Sequence, residues 1–95
     1  LAVFGAGSVG IAAIMAAQAI GVTNIIAVDL VDERLALARE LGATHTLNPK
    51  SGVDVVAEIK RLTGAGANRS FDTTGVMKVL RQAVECLAPR GMCGF

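Results

Sequence analysis

Three glycines at G-x-G-x-x-G spacing follow a short apolar run at the start of the chain: Gly5, Gly7 and Gly10. The pattern predicts a β-strand that turns directly into a helix. Gly5 permits the tight turn, Gly7 removes the Cβ that would keep a phosphate away from the backbone, and Gly10 lets the helix lie close to its strand. Because N–H groups and the positive end of the peptide dipole gather at a helix start, the expected ligand is an anion.

The sequence that follows the glycines indicates which anion is expected. An Ala-rich segment over residues 8–20 predicts a helix that ends at Gly21. The continuous apolar run 25–28 is typical of a buried parallel strand, and Asp29 ends it, 19 residues beyond Gly10. A carboxylate at that distance can accept hydrogen bonds from ribose hydroxyls. We therefore expect a dinucleotide site; the alternative is a glycine-rich turn followed by an incidental acid.

Composition narrows the fold and the partners. The chain is 53% hydrophobic and 18% charged, and its only aromatic residues are three phenylalanines. A core built from Val, Ile, Leu and Ala suits a parallel sheet covered by helices. The net charge is +1, with acids and bases interspersed, so we expect no nucleic-acid partner and no membrane partner. Without a signal-peptide pattern or a bilayer-length apolar run, the expected location is cytoplasmic. Cys86 and Cys93 are interpreted as reduced core thiols.

Strand-like and helix-like patterns alternate along the whole chain. In the fourth helix, Val76, Leu80, Ala83 and Leu87 are expected on the buried face. Repeated β-α-β units require right-handed crossovers and a parallel sheet. The prediction is one α/β domain over 1–95, a doubly wound (Rossmann) sheet with strand order 3-2-1-4-5. The predicted strands are 1–4, 25–28, 43–47, 70–74 and 92–95, and the predicted helices are 8–20, 32–41, 53–63 and 76–87.

These motifs together resemble the cofactor-binding domain of the medium-chain dehydrogenase/reductase family, the zinc-type alcohol dehydrogenases. The resemblance covers essentially the whole chain and rests on the runs 3–10, 25–29, 38–44 and 71–75. The run 80–95 looks closest to the aryl-alcohol (benzyl-alcohol) branch. The resemblance implies NAD as cofactor and hydride transfer between an alcohol and NAD as the activity of the parent enzyme.

The resemblance also implies roles for individual residues. Arg34 matches a basic position that reaches the adenosine ribose, although a solvent-exposed charge on the second helix is an equal alternative. The implied cofactor-binding set is Gly5, Gly7, Ser8 and Gly10 at the pyrophosphate, Val9 against the nicotinamide, Asp29 and Arg34 at the ribose, and Thr73 and Thr74 beside the adenine and ribose.

The chain departs from the family in what it lacks. The zinc-carrying catalytic domain and a sixth strand are both missing, so the sequence looks like a fragment that binds NAD without turnover. We expect no catalytic residue and no metal site, because a lone His45 cannot supply three or four zinc ligands. Two alternatives stay open. One is a regulatory NAD-sensing module without catalysis, and the other is a zinc-free quinone reductase, which would usually prefer NADP; Asp29 favours NAD.

We expect the chain to form homo-oligomers through its fifth strand. Residues 92–95 contain no Lys, Glu or Pro, and an unprotected edge strand pairs readily with another chain. Light scattering over a range of concentrations tests this expectation. A chain that stays monomeric at high concentration, and melts no lower than one extended by the parent's next segment, would contradict it.

Overall fold

A computed structural model describes all 95 residues, and its strands form one five-stranded parallel sheet with the order β3-β2-β1-β4-β5. The predicted doubly wound fold and its strand order are confirmed. In chain order the elements are β1 (Ala2–Phe4), α1 (Ser8–Ala19), β2 (Ile26–Val28), α2 (Asp32–Glu40), β3 (His45–Leu47), a 3₁₀ turn (Pro49–Ser51), α3 (Val55–Thr63), β4 (Ala67–Asp72), α4 (Met77–Glu85) and β5 (Leu87–Gly94).

The sheet is buried on both faces. Because successive side chains of a strand point to opposite faces, β1 divides its residues between two hydrophobic clusters. Val3 shares a cluster with Ile14 of α1 and Leu35 of α2, whereas Phe4 shares one with Ile59 of α3 and Ala83 of α4. Helices therefore cover both faces, α1 and α2 on one and α3 and α4 on the other.

The turn from β1 into α1 depends on two glycines that approach each other closely. Gly5 has a φ of +95°, a backbone conformation that side chains with a Cβ rarely adopt. A Cβ on Gly10 would lie 1.8 Å from the carbonyl oxygen of Gly5. The first turn of α1 can therefore rest on the end of β1 only because position 10 has no side chain.

The boundaries of β4 and β5 differ from those predicted. β4 begins at Ala67 and ends at Asp72, and β5 begins at Leu87, directly after α4. The segment 89–91 has the sequence Pro-Arg-Gly, which is typical of a turn that ends a helix, but it lies within β5, where the register shifts and Arg90 adopts a φ of +68°. Pairing with β4 outweighs the local turn signal of Pro-Arg-Gly, and the edge strand is thus longer than predicted.

Three further features complete the fold. None of the helices combines the length and the apolar character needed to cross a bilayer. Both cysteines are free. Cys86 is buried in the hydrophobic cluster that contains Phe4 and Ile59, and Cys93 is half-buried and packs against that cluster. Burial raises the pKa of the Cys86 thiol to about 11, so this thiol is protonated at neutral pH.

Gly10→Ala should lower the free energy of unfolding by about 1–3 kcal/mol or more, because the new methyl group meets a backbone carbonyl that cannot move aside. Alanine favours a helix over glycine by about 1 kcal/mol. A loss of stability in Gly10→Ala would therefore show that the steric clash outweighs the gain in helix propensity. The matched control is Gly7→Ala, whose Cβ would have no neighbour within 4 Å; it should cost less than about 1 kcal/mol. Denaturant unfolding measures both, and a Gly10→Ala protein as stable as the wild type would contradict the prediction.

Candidate nucleotide-binding site

The candidate site lies at the carboxyl end of the sheet, where the chain leaves β1 and β4 toward opposite faces. The turn after β1 leads into α1 on one face, and the turn after β4 leads into α4 on the other. In open parallel sheets this divergence of neighbouring connections creates the crevice in which ligands bind. The glycine motif and the end of β4 both border this crevice.

Asp29 connects the glycine turn to the end of β2. One carboxylate oxygen, Oδ2, accepts a hydrogen bond from the Ala6 N–H at 2.8 Å, and the other, Oδ1, accepts one from the Val31 N–H at 2.8 Å. The side chain of Asp29 is only 7% exposed. Hydrogen bonds to an ionised acceptor are stronger than those between neutral groups. Asp29 is therefore held in place before any ligand arrives.

Arg34 lies near this carboxylate without forming a close ion pair. Its Nη1 is 3.9 Å from Asp29 Oδ2, and its side chain is 57% exposed. At that distance and exposure the pair contributes little to stability. Arg34 is thus free to turn toward a ligand, and its role at a ribose stays a prediction.

The two adjacent threonines at the end of β4 are arranged differently. The Thr73 hydroxyl donates to the carbonyl oxygen of Phe4 at 3.0 Å and to that of Gly5 at 3.2 Å. The Thr74 hydroxyl donates instead to Oδ1 of Asp72 at 2.7 Å. Thr73 therefore fixes the glycine turn, and its hydroxyl retains only acceptor capacity toward a ligand.

Asp72 is a site residue that the sequence did not reveal. It is 4% exposed, and its carboxylate also accepts from the Thr74 N–H at 2.8 Å. The available signal was the Asp-x-Thr spacing, which is typical of a side chain that bonds the backbone two residues on. Asp72 shapes the turn into α4.

Gly7 and Ser8 form the start of α1. Gly7 occupies the N-cap position with extended backbone, and no side chain caps the helix. A Cβ at position 7 would meet nothing within 4 Å. A serine or aspartate would normally be favoured here, so the absence of a cap leaves the first N–H groups of α1 accessible from open space.

Two cavities lie at this end of the sheet. The first, of about 500 Å³, is lined by residues that include Gly5, Asp29, Arg34 and Thr74. The second, of about 420 Å³, is lined by residues that include Val9 and Thr73. Gly7, Ser8 and Gly10 line neither of them, and Gly10 is buried under the helix turn.

The first cavity has apolar walls that the sequence analysis did not predict. Val76 was expected in the core but is 52% exposed and lines this cavity, because it precedes α4 instead of lying on its buried face. Leu30 and Val31, in the turn after β2, are exposed and line it as well. A cavity with apolar walls and a single carboxylate suits a flat base attached to a sugar.

No three side chains among His, Cys, Asp and Glu lie close enough together to hold a metal ion. His45 instead has its Nδ1 3.0 Å from the hydroxyl of Thr44. The residues present therefore do not fit a zinc ion.

Comparisons with a family model and with curated proteins both match this chain to dehydrogenases. The family model described as zinc-binding dehydrogenase matches residues 8–95. Geraniol dehydrogenase of Castellaniella defragrans is 45% identical over 95 residues, which is all of this chain and 26% of that protein. The chain thus spans about a quarter of the length of the curated relatives it matches.

Solved structures agree in fold. An alcohol dehydrogenase zinc-binding domain protein from Burkholderia ambifaria is 53% identical with a TM-score of 0.95, covering 98% of this chain and 25% of that one. Benzyl alcohol dehydrogenase from Acinetobacter calcoaceticus is 43% identical with a TM-score of 0.94, covering 99% and 26%. A structure from Sinorhizobium meliloti 1021 that is bound to NADP is 28% identical with a TM-score of 0.91, covering 97% and 28%.

Proposed function

The chain belongs to the zinc-binding dehydrogenase family, and we propose that residues 1–95 form the NAD-binding domain of an alcohol dehydrogenase. The observation that carries this proposal is the position of Asp29. Its nearly buried carboxylate lies at the carboxyl end of β2 and is bonded to the glycine turn at Ala6. A carboxylate held there can accept hydrogen bonds from the hydroxyls of an adenosine ribose.

The chain's own residues would bind and orient the cofactor in three ways. The N–H groups at Gly7 and Ser8 would face the pyrophosphate, and the α1 dipole would favour its negative charge. Asp29, assisted by Arg34, would hold the adenosine ribose in the first cavity. Val9 in the second cavity would contact the face of the nicotinamide ring. The bound dinucleotide supplies the ring carbon that accepts hydride from the alcohol.

Thr73 and Thr74 would act at the same crevice through different contacts. Thr73 would hold Gly5 in its left-handed conformation, because its hydroxyl bonds the two carbonyls of that turn. Thr74 would border the adenosine end, where it lines the first cavity. In both positions the proposed contribution is orientation of the cofactor.

The substrate and the zinc ion belong to the parent protein as a whole. One relative is named for benzyl alcohol, which supports an aromatic alcohol as the substrate of the parent, and another is named for geraniol, an unsaturated alcohol without an aromatic ring. This chain provides no group of zinc ligands, so we propose that other parts of the parent protein would hold any zinc ion. The chain by itself should bind NAD without turnover.

A regulatory NAD-sensing module and a zinc-free quinone reductase are the two alternatives. The sensor would use the same crevice without hydride transfer, since a fold by itself does not fix chemistry. The reductase would usually favour NADP, but the NADP-bound Sinorhizobium meliloti relative is described as a zinc-binding dehydrogenase. A preference of this chain for NAD would therefore argue against the quinone reductase, whereas a preference for NADP would leave both readings open.

NAD should bind more tightly than NADP, because the 2′-phosphate of NADP would place roughly two negative charges beside the Asp29 carboxylate. Asp29→Ala should shift the ratio of the two affinities toward NADP by about tenfold or more, equivalent to about 1.4 kcal/mol. Asp54→Ala is the matched control; it removes the same charge and a comparable backbone hydrogen bond at the start of α3. Calorimetric titration measures the ratio of the NAD and NADP affinities for the wild type and for each variant. A wild-type chain that binds NADP as tightly as NAD would contradict the prediction.

Gly7→Val should abolish dinucleotide binding and leave the fold intact. The branched side chain would project into the open space beside the first N–H groups of α1, where the pyrophosphate is expected, and would meet no protein atom at its Cβ. Circular dichroism and an NAD titration together decide the question. Ala19→Val, at the exposed far end of the same helix, is the control and should bind normally. Unchanged affinity in a folded Gly7→Val protein would mean that this glycine has no role at the ligand.

A further inference from the structure

The turn after β2, residues 30–32, is held by a side chain from a different part of the chain. Asn48 follows β3, and its Nδ2 donates to the carbonyl oxygen of Leu30 at 3.3 Å and to Oδ1 of Asp32 at 2.8 Å. Leu30 and Val31 form part of the wall of the first cavity, in which the adenosine ribose is proposed to bind. Asn48 itself does not line that cavity.

The amide of Asn48 uses all of its polar groups in this position. Its two N–H hydrogens go to the two acceptors of the turn, and its Oδ1 accepts a hydrogen bond from the Lys50 N–H at 2.9 Å. A carboxylate of the same size would keep the Lys50 bond, lose both donors and lie beside Asp32. Only an amide therefore fulfils every contact at this position.

The backbone hydrogen bonds of this turn lie at its end, where the Val31 carbonyl accepts from the N–H groups of Arg34 at 3.1 Å and Leu35 at 3.2 Å as α2 begins. Leu30 and Val31 are 53% and 39% exposed, so burial contributes little to holding them. No side chain caps the start of α2. The remaining side-chain contact to the turn is Asp29 Oδ1 with the Val31 N–H, and Asp29 is the residue proposed to receive the ribose hydroxyls.

We propose that Asn48 is a positioning residue that fixes the 30–32 turn, and through it the cavity wall against which the adenosine half of the dinucleotide binds. This inference rests on the proposed function. Asn48 also begins the turn that carries Pro49, another residue of the same wall. One side chain thus connects the two segments that border the cavity beyond β2 and β3.

The test compares Asn48→Asp with Asn68→Asp, which introduces the same charge on β4 at an exposed side chain without hydrogen bonds of its own. Affinities for NAD and ADP-ribose are measured by calorimetry on variants that circular dichroism shows to be folded. Amide hydrogen exchange reports the mobility of residues 30–32. Asn48→Asp should weaken both ligands by about three- to tenfold, the effect of one or two ordinary hydrogen bonds, and should speed exchange at 30–32.

A double variant distinguishes positioning from a general loss of stability. Asn48→Asp combined with Asp32→Asn exchanges donor and acceptor between the two positions, so their mutual hydrogen bond can form again. Part of the lost affinity and protection should return, although the bond to the Leu30 carbonyl cannot. Recovery of neither would overturn the proposal, as would an equal loss of affinity in Asn68→Asp.

Two further outcomes separate this inference from the proposed function. If the wild type binds neither NAD nor ADP-ribose, the proposed function fails, whereas exchange at 30–32 still decides whether Asn48 holds the turn. If Asn48→Asp is folded and binds both ligands as the wild type does, Asn48 has no positioning role even where the proposed function holds.

Discussion

The contact on which the rest of the site depends is the approach of Gly10 to the carbonyl group of Gly5. With a Cβ at position 10 only 1.8 Å from that oxygen, any other residue would push the start of α1 away from β1. The start of α1 and the end of β1 would then separate, and the crevice that they border would change shape. A glycine inside a helix costs up to about 1 kcal/mol relative to alanine, so the first turn of α1 loses some helix stability at Gly10 and gains a close contact between helix and strand.

Asp29 extends this local constraint across the sheet. A carboxylate offers about four acceptor positions, and the N–H groups of Ala6 and Val31 occupy two of them. The remaining positions can receive a ligand without breaking either bond. The residue that would recognise a ribose is therefore also the one that aligns the glycine turn with the turn after β2. Such prior alignment reduces the ordering that binding would otherwise require.

Sequence patterns predicted most of the fold because apolar runs and helical periodicity report burial. Right-handed crossovers, together with the glycine fingerprint after the first strand, then indicate the strand order 3-2-1-4-5. They failed where tertiary contacts outweighed local signals. Pairing with β4 extended β5 back to Leu87 through a Pro-Arg-Gly segment that reads locally as a turn. Periodicity placed Val76 in the core, but periodicity cannot show whether the start of a helix is covered. The contacts of Asn48 join residues 16 and 18 positions apart, and no local pattern indicates them.

The two cavities bear on the kind of ligand that this crevice can take. Thr73 and Thr74 are consecutive residues directly after β4, and each lines a different cavity. A mononucleotide would need only one such cavity. Gly5 lines the first cavity and Val9 lines the second, while Gly7 and Ser8 between them in sequence line neither. This order suits a ligand with two bulky ends and an anionic middle. A dinucleotide has that shape, and the arrangement therefore favours it over a single phosphate ester.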